Sequence, residues 1–253
     1  MKTVPLSVII ITHRSDERFR KSLQSIQFAD EILIVDHQSG FEEREWSGEL
    51  RYEIVAQIGK LNDFAAARNT ALQAASHDWI LFLDSDEVLE TEAADVITKA
   101  LSKTQSHPPA AYELKRKDIF LGTELKHGEV GTVWMPRLLR RGAVRYYRSI
   151  HEIAQINGST KRLPLTIRHH AHRSISDFIR TIADYSVREG ALRKTPGHRQ
   201  ARWITLLELL AFPPAKFIQN YCFRLGFLDG FRGLVYALAM SLHSFATRVM
   251  LLC

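Results

Sequence analysis

Two carboxylates set one residue apart, Asp84 and Asp86, directly follow four consecutive apolar residues, Ile80 to Leu83, in Trp79-Ile-Leu-Phe-Leu-Asp-Ser-Asp-Glu87. An apolar run without polar alternation reads as a strand buried on both faces, as in a parallel sheet. Carboxylates leaving such a strand stand at its C-terminal edge, where open α/β sheets place their ligands. Two of them can address one hard cation, Mg²⁺ or Mn²⁺, that also grips a diphosphate. The plainer alternative is a solvated Asp-Ser-Asp helix cap after a core strand. A second candidate strand also ends in an acid, Asp36, and that repetition favours a site over a cap. Further groups with acid–base or ligating chemistry are the adjacent His151 and Glu152, and the imidazoles of His169-His-Ala-His172. If the histidine tract is a strand, its alternate members face opposite ways. Arg137, Arg140, Arg141 and Arg145 read as a solvated basic face.

The elements that would position these groups follow from periodicity. Residues 6–12 are rich in β-branched side chains and form a first strand. Phe19, Leu23 and Ile26 mark a helix over 18–26. Residues 31–36 repeat the strand pattern, and strand, helix, strand within this length is a parallel crossover unit. A weaker strand spans 52–58. The alanine-dense 63–75 is a helix capped by Asn62 or Asp63 and leading into the central strand. A helix over 90–102 is broken by Ser106-His-Pro-Pro109. Residues 112–122 and 132–140 read as extended, 142–156 alternates, and a helix starts at Ser174-Ile-Ser-Asp177 and runs to 192.

The chain has 253 residues, 45% hydrophobic. That is enough for one large α/β domain, or one domain with an appendage. The formal charge is +6, which suggests an anionic partner. From Arg193 onward eight basic residues face only Glu208 and Asp229, so this tail carries the whole excess. The tail's apolar runs, 203–212, 217–228 and 231–252, are separated by Pro213-Pro214 and Gly230 and interrupted by arginines. None is a long charge-free span. They read as basic amphipathic helices on a membrane surface, or as a helical layer packed on the catalytic domain. Cys222 and Cys253 have no metal spacing and no disulfide framework, which fits a reducing compartment. Both read as buried or interfacial small hydrophobes. Met-Lys-Thr-Val-Pro runs straight into a strand without a signal-peptide pattern, so a cytoplasmic protein is expected.

In this order, Thr12, Asp36, Ala67-Arg68-Asn69, Asp84-Ser-Asp86, Ile150-His-Glu152 and Gly226-Phe-Leu-Asp-Gly230, the chain resembles the family 2 inverting glycosyltransferases of the GT-A fold. It looks most like the bacterial branch that builds lipopolysaccharide core and related surface glycans. The resemblance implies an α/β, Rossmann-like GT-A domain over 1–173 with a mostly parallel central sheet flanked by helices. Its nucleotide-sugar half would end near residue 105, its acceptor half would cover 106–173, and 174–253 would be a helical, basic extension. It further implies that Asp36 recognises the base of a UDP-linked donor and that Thr12 contacts the same uridine through its main chain. Arg68 and Asn69 would order the donor pocket, and Asp84 with Ser85 would approach the ribose or sugar. Asp86, with Asp84 and one histidine such as His170, would hold Mg²⁺ or Mn²⁺. Glu152 would be the base, with His151 as its partner or substitute. The implied partners are a nucleotide sugar, a lipid-linked saccharide acceptor and an anionic membrane surface at the inner face of the bacterial inner membrane, with no nucleic acid.

Two positions depart from the pattern. Ser39 is followed by Gly40, Phe41 and Glu42 where relatives show Ser-x-Asp, and the first strand ends Thr-His-Arg. Competing classes fit less well. A metal-dependent nucleotidyltransferase would show a glycine-rich phosphate loop, and residues 11–16 contain no glycine. A nucleic-acid-binding protein would interleave aromatic with basic residues on one module, whereas the basic tail is mostly aliphatic. A non-catalytic membrane scaffold would not need the intact acid set. The donor sugar, the linkage and the oligomeric state are open at this level.

Overall fold

The computed structural model describes residues 4–12, 16–36, 46, 48–57, 64–102, 108–131, 133–147, 153–172, 174–193 and 202–252. Two compact units emerge: Met1–Arg116 with Val133–His169, and Lys117–Thr132 with His170–Cys253.

In the first unit the β-branched, apolar stretches form β1 (Val4–Thr12), β2 (Ala29–Asp36), β3 (Glu53–Gln57) and β4 (Trp79–Asp84). These pair in parallel, in the order β3-β2-β1-β4. The order places β1 at the centre, with the acid-ending strands β2 and β4 on either side. Antiparallel strands continue the sheet: β5 (Glu87–Leu89), β6 (Ala111–Phe120), β8 (Val133–Arg140) and β11 (Thr160–His172), in the order β4-β8-β6-β11-β5. The two-residue β7 (Thr123–Glu124) pairs with the end of β6. The alternating 142–156 run folds as a separate two-stranded sheet, β9 (Val144–Tyr147) with β10 (Ile153–Ile156).

The lack of polar alternation in β1 and β4 has a direct cause. Val8, Ile10, Leu81 and Leu83 face a core closed by Phe19, Leu23 and Ile26 at α1 (Glu17–Ser25) and by Ile97 of α3 (Ala93–Leu101). Their neighbours Ile9, Ile11, Ile80 and Phe82 face the opposite core, closed by the alanines of α2 (Phe64–Ala74) and by Tyr146. Each fully enclosed side chain in Ile80 to Leu83 stabilises this arrangement by about 1.5–3 kcal/mol. Asp16 caps α1, accepting from the amides of Arg18 and Phe19. The alternative caps expected for α2, Asn62 and Asp63, lie outside the described residues.

The second unit is helical: α4 (Ile175–Arg193), α5 (Arg202–Ile218), a π-helical turn Gln219–Phe223, a 3-10 turn Gly226–Asp229 and α6 (Gly230–Leu252). Arg202 donates to the Leu252 carbonyl, Arg248 pairs with Glu208, and Ser241 donates to the Pro213 carbonyl. This descending pairing makes α5 and α6 an antiparallel hairpin. Pro213-Pro214 does not break α5, contrary to expectation. The two prolines remove two amide donors but leave the helix in place, and packing on α6 through Ser241 holds that stretch. Gly230, at φ +60°, does start a new helix. At the corner a Cβ on Gly226 would lie 2.6 Å from the Asn220 carbonyl oxygen, and one on Gly233 would lie 1.9 Å from that of Gly226, so backbone fills the space a side chain would need. The stretch Gly226–Leu252 is long and apolar enough to cross a membrane by length and composition. Cys222 is exposed in the π-helical turn because the corner turns its apolar side chains outward, which removes burial from the two expected alternatives and leaves an interfacial position. Cys253 lies outside the described residues.

Candidate active site

The register of the parallel strands fixes the site. Thr12 stands opposite Asp36, and its neighbour Ile11 opposite Asp84. Asp36 and Asp84 therefore leave the same sheet edge two strands apart, a backbone separation of about 10 Å. Thr12, Asp36 and Ser85 are buried there. The link between β4 and β5 is only Ser85-Asp86, and this tight turn puts Asp86 at the rim beside the Asp84 strand end.

Asp84 is held on both oxygens. Arg68 Nη2 donates to Oδ1 at 3.1 Å and Arg137 Nη2 to Oδ2 at 2.8 Å. Arg137 also pairs with Glu87 Oε1 at 2.6 Å, while Glu87 Oε2 accepts from the Asp84 amide at 3.0 Å. Burial by itself would raise the Asp84 carboxyl, but the Arg137 and Arg68 guanidiniums hold it well below the usual carboxylate range. The Asp84 side chain is 37% exposed, and solvent screens part of this effect. Burial pushes Glu87 up and the Asp84 charge adds to that, with Arg137 opposing. Burial tends to lower Arg137, but the two carboxylates outweigh it and keep Arg137 charged.

Arg137 corrects the sequence reading. It is 5% exposed, while Arg140, Arg141 and Arg145 are exposed as expected of a basic face. The signal lay in its surroundings: Trp134, Met135, Leu138 and Leu139 bracket it within a strand, whereas the other three follow at and beyond the strand's end. Glu87, fully buried as its partner, was also missed, since β5 has only three residues and no periodicity to read.

The Ala-Arg-Asn segment lies on α2 and its two polar side chains do different work. Arg68 stacks its guanidinium against Phe82 and Tyr146, 5.1 and 5.4 Å from the ring centroids, while holding Asp84. Asn69 donates to the Tyr146 carbonyl and accepts from its amide, both at 2.9 Å. It thus takes both main-chain groups of Tyr146 on β9, which pairs with β10 alongside.

Asp86 has His169 Nε2 3.6 Å from its Oδ1. The pairing of β11 with β5 explains this, since His169 stands opposite Glu87. His170, expected to be a ligand together with Asp84 and Asp86, falls in the second unit. His172 lies there too, its ring 4.3 Å from that of Phe178. Among the described residues no cluster of three or more His, Cys, Asp or Glu side chains could by itself enclose a metal ion. The donor chemistry nevertheless fits a hard cation, because Mg²⁺ commonly takes one or two carboxylates, with waters and substrate phosphates completing the shell. Asp86 is the carboxylate suited to this, since both Asp84 oxygens already accept from guanidiniums. His151 and Glu152 lie outside the described residues.

With sheet and site in view, the comparisons with known proteins are unambiguous about class. The chain belongs to glycosyl transferase family 2, whose model matches residues 7–157. Over 254 aligned residues it is 24% identical to the lipopolysaccharide core biosynthesis glycosyltransferase LpsC of Rhizobium meliloti, covering 92% of this chain and 89% of that one. A TPR repeat-containing protein of Synechococcus elongatus is 30% identical over 153 residues, 58% of this chain but only 35% of that protein. Among solved structures, a mannosyltransferase of Pyrobaculum calidifontis in complex with GDP-Man and Mn²⁺ superposes with a TM-score of 0.52 at 15% identity, over 98% of this chain and 87% of that one. This likeness bears on the fold, which is that of the GT-A glycosyltransferases.

Proposed function

We propose that this glycosyltransferase moves a sugar, with inversion, from a nucleoside-diphosphate donor, UDP-linked in the first instance, to a lipopolysaccharide-core or other cell-envelope glycan. The observation that carries the donor half is the register at the sheet edge, which brings Thr12, Asp36 and Asp84 to one line of strand ends, with Asp86 in the turn that follows. Asp36, buried beside Thr12, is suited to the uracil edge. Asp84, fixed between Arg68 and Arg137, presents a rigid acceptor for sugar or ribose hydroxyls. LpsC, a lipopolysaccharide core biosynthesis glycosyltransferase, supports the choice of acceptor class.

Asp86 would hold Mg²⁺ or Mn²⁺ with His169 alongside; the cation, when bound, offsets the negative charge that develops on the departing diphosphate. In a single displacement the acceptor hydroxyl forms its bond to the anomeric carbon as the bond to the diphosphate oxygen breaks on the opposite face. The hydroxyl proton goes to the assigned base, Glu152, with His151 as its neighbour. A base so placed contributes roughly 10²–10⁴-fold.

Release of the nucleoside diphosphate from a panel of UDP- and GDP-sugars, with and without Mn²⁺, tests the donor. Turnover with one UDP-sugar that Asp86→Asn abolishes supports the reading, and turnover undiminished by both chelation and Asp86→Asn rejects the metal role. Glu152→Gln is expected to lose about 10²–10⁴-fold in kcat with donor affinity retained; an unchanged kcat reassigns the base.

A further inference from the structure

The helical unit has its polarity reversed. Large apolar side chains stand outward along the hairpin and its corner, among them Leu207, Leu210, Phe223, Phe227, Phe231 and Leu242, with Phe223 82% and Leu210 75% exposed. Inside the same hairpin lie polar groups. Arg248 is buried, with Nη1 on the Ser244 hydroxyl and carbonyl and its guanidinium over Phe212 at 4.0 Å. Thr205, Asn220 and Thr247 are buried as well. Water selects the opposite arrangement, and a contiguous apolar exterior of this kind marks a surface with a partner.

We infer that the outward face of α5, α6 and the corner between them seats in the plane of an anionic lipid bilayer. Charge identifies lipid as the occupant. The acids of the hairpin are drawn inward: Glu208 to Arg248, and Asp229, with only 8% of its side chain exposed, to the amides of Lys126 and His127 and to the His127 ring. Arg202, Arg232 and Arg224, which also has Glu129 3.7 Å away, remain exposed. The exterior is thus apolar with arginines and almost without exposed acids, the composition of an interfacial helix on an anionic leaflet. The stretch Gly226–Leu252 is apolar enough to enter a bilayer. Seating in the plane fits better than crossing, because both ends of α6 are engaged within the same unit. Asp229 is tied to residues 126–127, and Gly190 of α4 packs so closely on Met250 that a Cβ there would lie 2.6 Å from the Met250 Cβ. One side of the hairpin is therefore left for lipid. The inference stands on this surface alone and does not rest on the donor or the acceptor assigned above.

The test is flotation of the full chain with vesicles of phosphatidylcholine alone or mixed equally with phosphatidylglycerol. The protein should float with the mixed vesicles and release as salt rises. Leu210→Ser, Phe223→Ser and Phe231→Ser combined should weaken binding about tenfold or more, with far-ultraviolet circular dichroism and the unfolding midpoint unchanged. Arg224→Gln with Arg232→Gln should remove the preference for the anionic mixture. Quenching of Trp203, 64% exposed on α5, by brominated lipid reads the same contact without altering the face, with Trp203→Phe as the blank. The inference is overturned if the unaltered protein does not float, if the triple variant binds equally well, or if the triple variant instead dissociates a dimer, which would make the face a contact between copies.

Discussion

The sheet edge and the helical hairpin solve opposite problems with the same residue types. At the sheet edge arginines are buried because carboxylates need them: Arg68 and Arg137 are enclosed, and both donate to Asp84. In the hairpin most arginines stay outside, and the apolar side chains join them there. The edge pairs each buried charge with an opposite one, whereas the hairpin leaves apolar surface without a core. Charge pattern alone misjudges both. What distinguishes them is whether each charge has an opposite charge in reach and whether each apolar group has a core to enter.

Breaking the edge should have the largest effect. Arg137→Met removes the cation shared by Asp84 and Glu87 and leaves the enclosed Glu87 carboxylate without a cation, a loss of about 3–5 kcal/mol in chemical denaturation at neutral pH. The pH dependence should also reverse. In the unaltered protein Asp84, held low, contributes stability that is complete above the ordinary carboxylate range and is lost only as pH falls below it. In the variant Glu87, enclosed without its cation, is raised further while Arg68 still holds Asp84, so acidification from pH 7 should recover part of the stability; a deficit that only grows on acidification contradicts the shared-cation account. Next in size, Asp229→Ala strands the Lys126 and His127 amides and should cost about 1.5–3 kcal/mol, measurable as a shift in the unfolding midpoint. Asn69→Leu removes two neutral hydrogen bonds to Tyr146, about 1–2 kcal/mol, and hydrogen exchange at the Tyr146 amide should accelerate. At the small end, Leu210→Ser should leave stability within about 0.5 kcal/mol. A large loss there would mean that the hairpin's exterior is a core after all, and the contrast between the two regions would fail.

The strands that carry the site were legible because burial on both faces leaves a compositional mark: Ile80 to Leu83 admit no other reading once Asp84 and Asp86 follow. The family resemblance, with its glycosyltransferase activity and GT-A fold, was legible from six short motifs in order. The partners of the motifs were not. Arg137 and Glu87 meet Asp84 across strands distant in the chain, and nothing local in Met-Pro-Arg-Leu-Leu announces which arginine turns inward. That His169 is the imidazole beside Asp86 follows only from the register of β11 on β5. Proline normally ends a helix, so α5 through Pro213-Pro214 could be read only with α6 in place. Cys222, a small residue in an apolar run, could be placed only by the corner's outward turn.

Arg68 and Asn69 are consecutive on α2, yet one grips the carboxylate at the end of β4 and the other grips the main chain of β9, from which the polypeptide runs on into Ile150-His-Glu152. A single helical turn therefore acts as a lever with two hands. Asp84 and the Tyr146 main chain therefore share one anchor, and a substitution that unwinds this turn of α2 should loosen both at once.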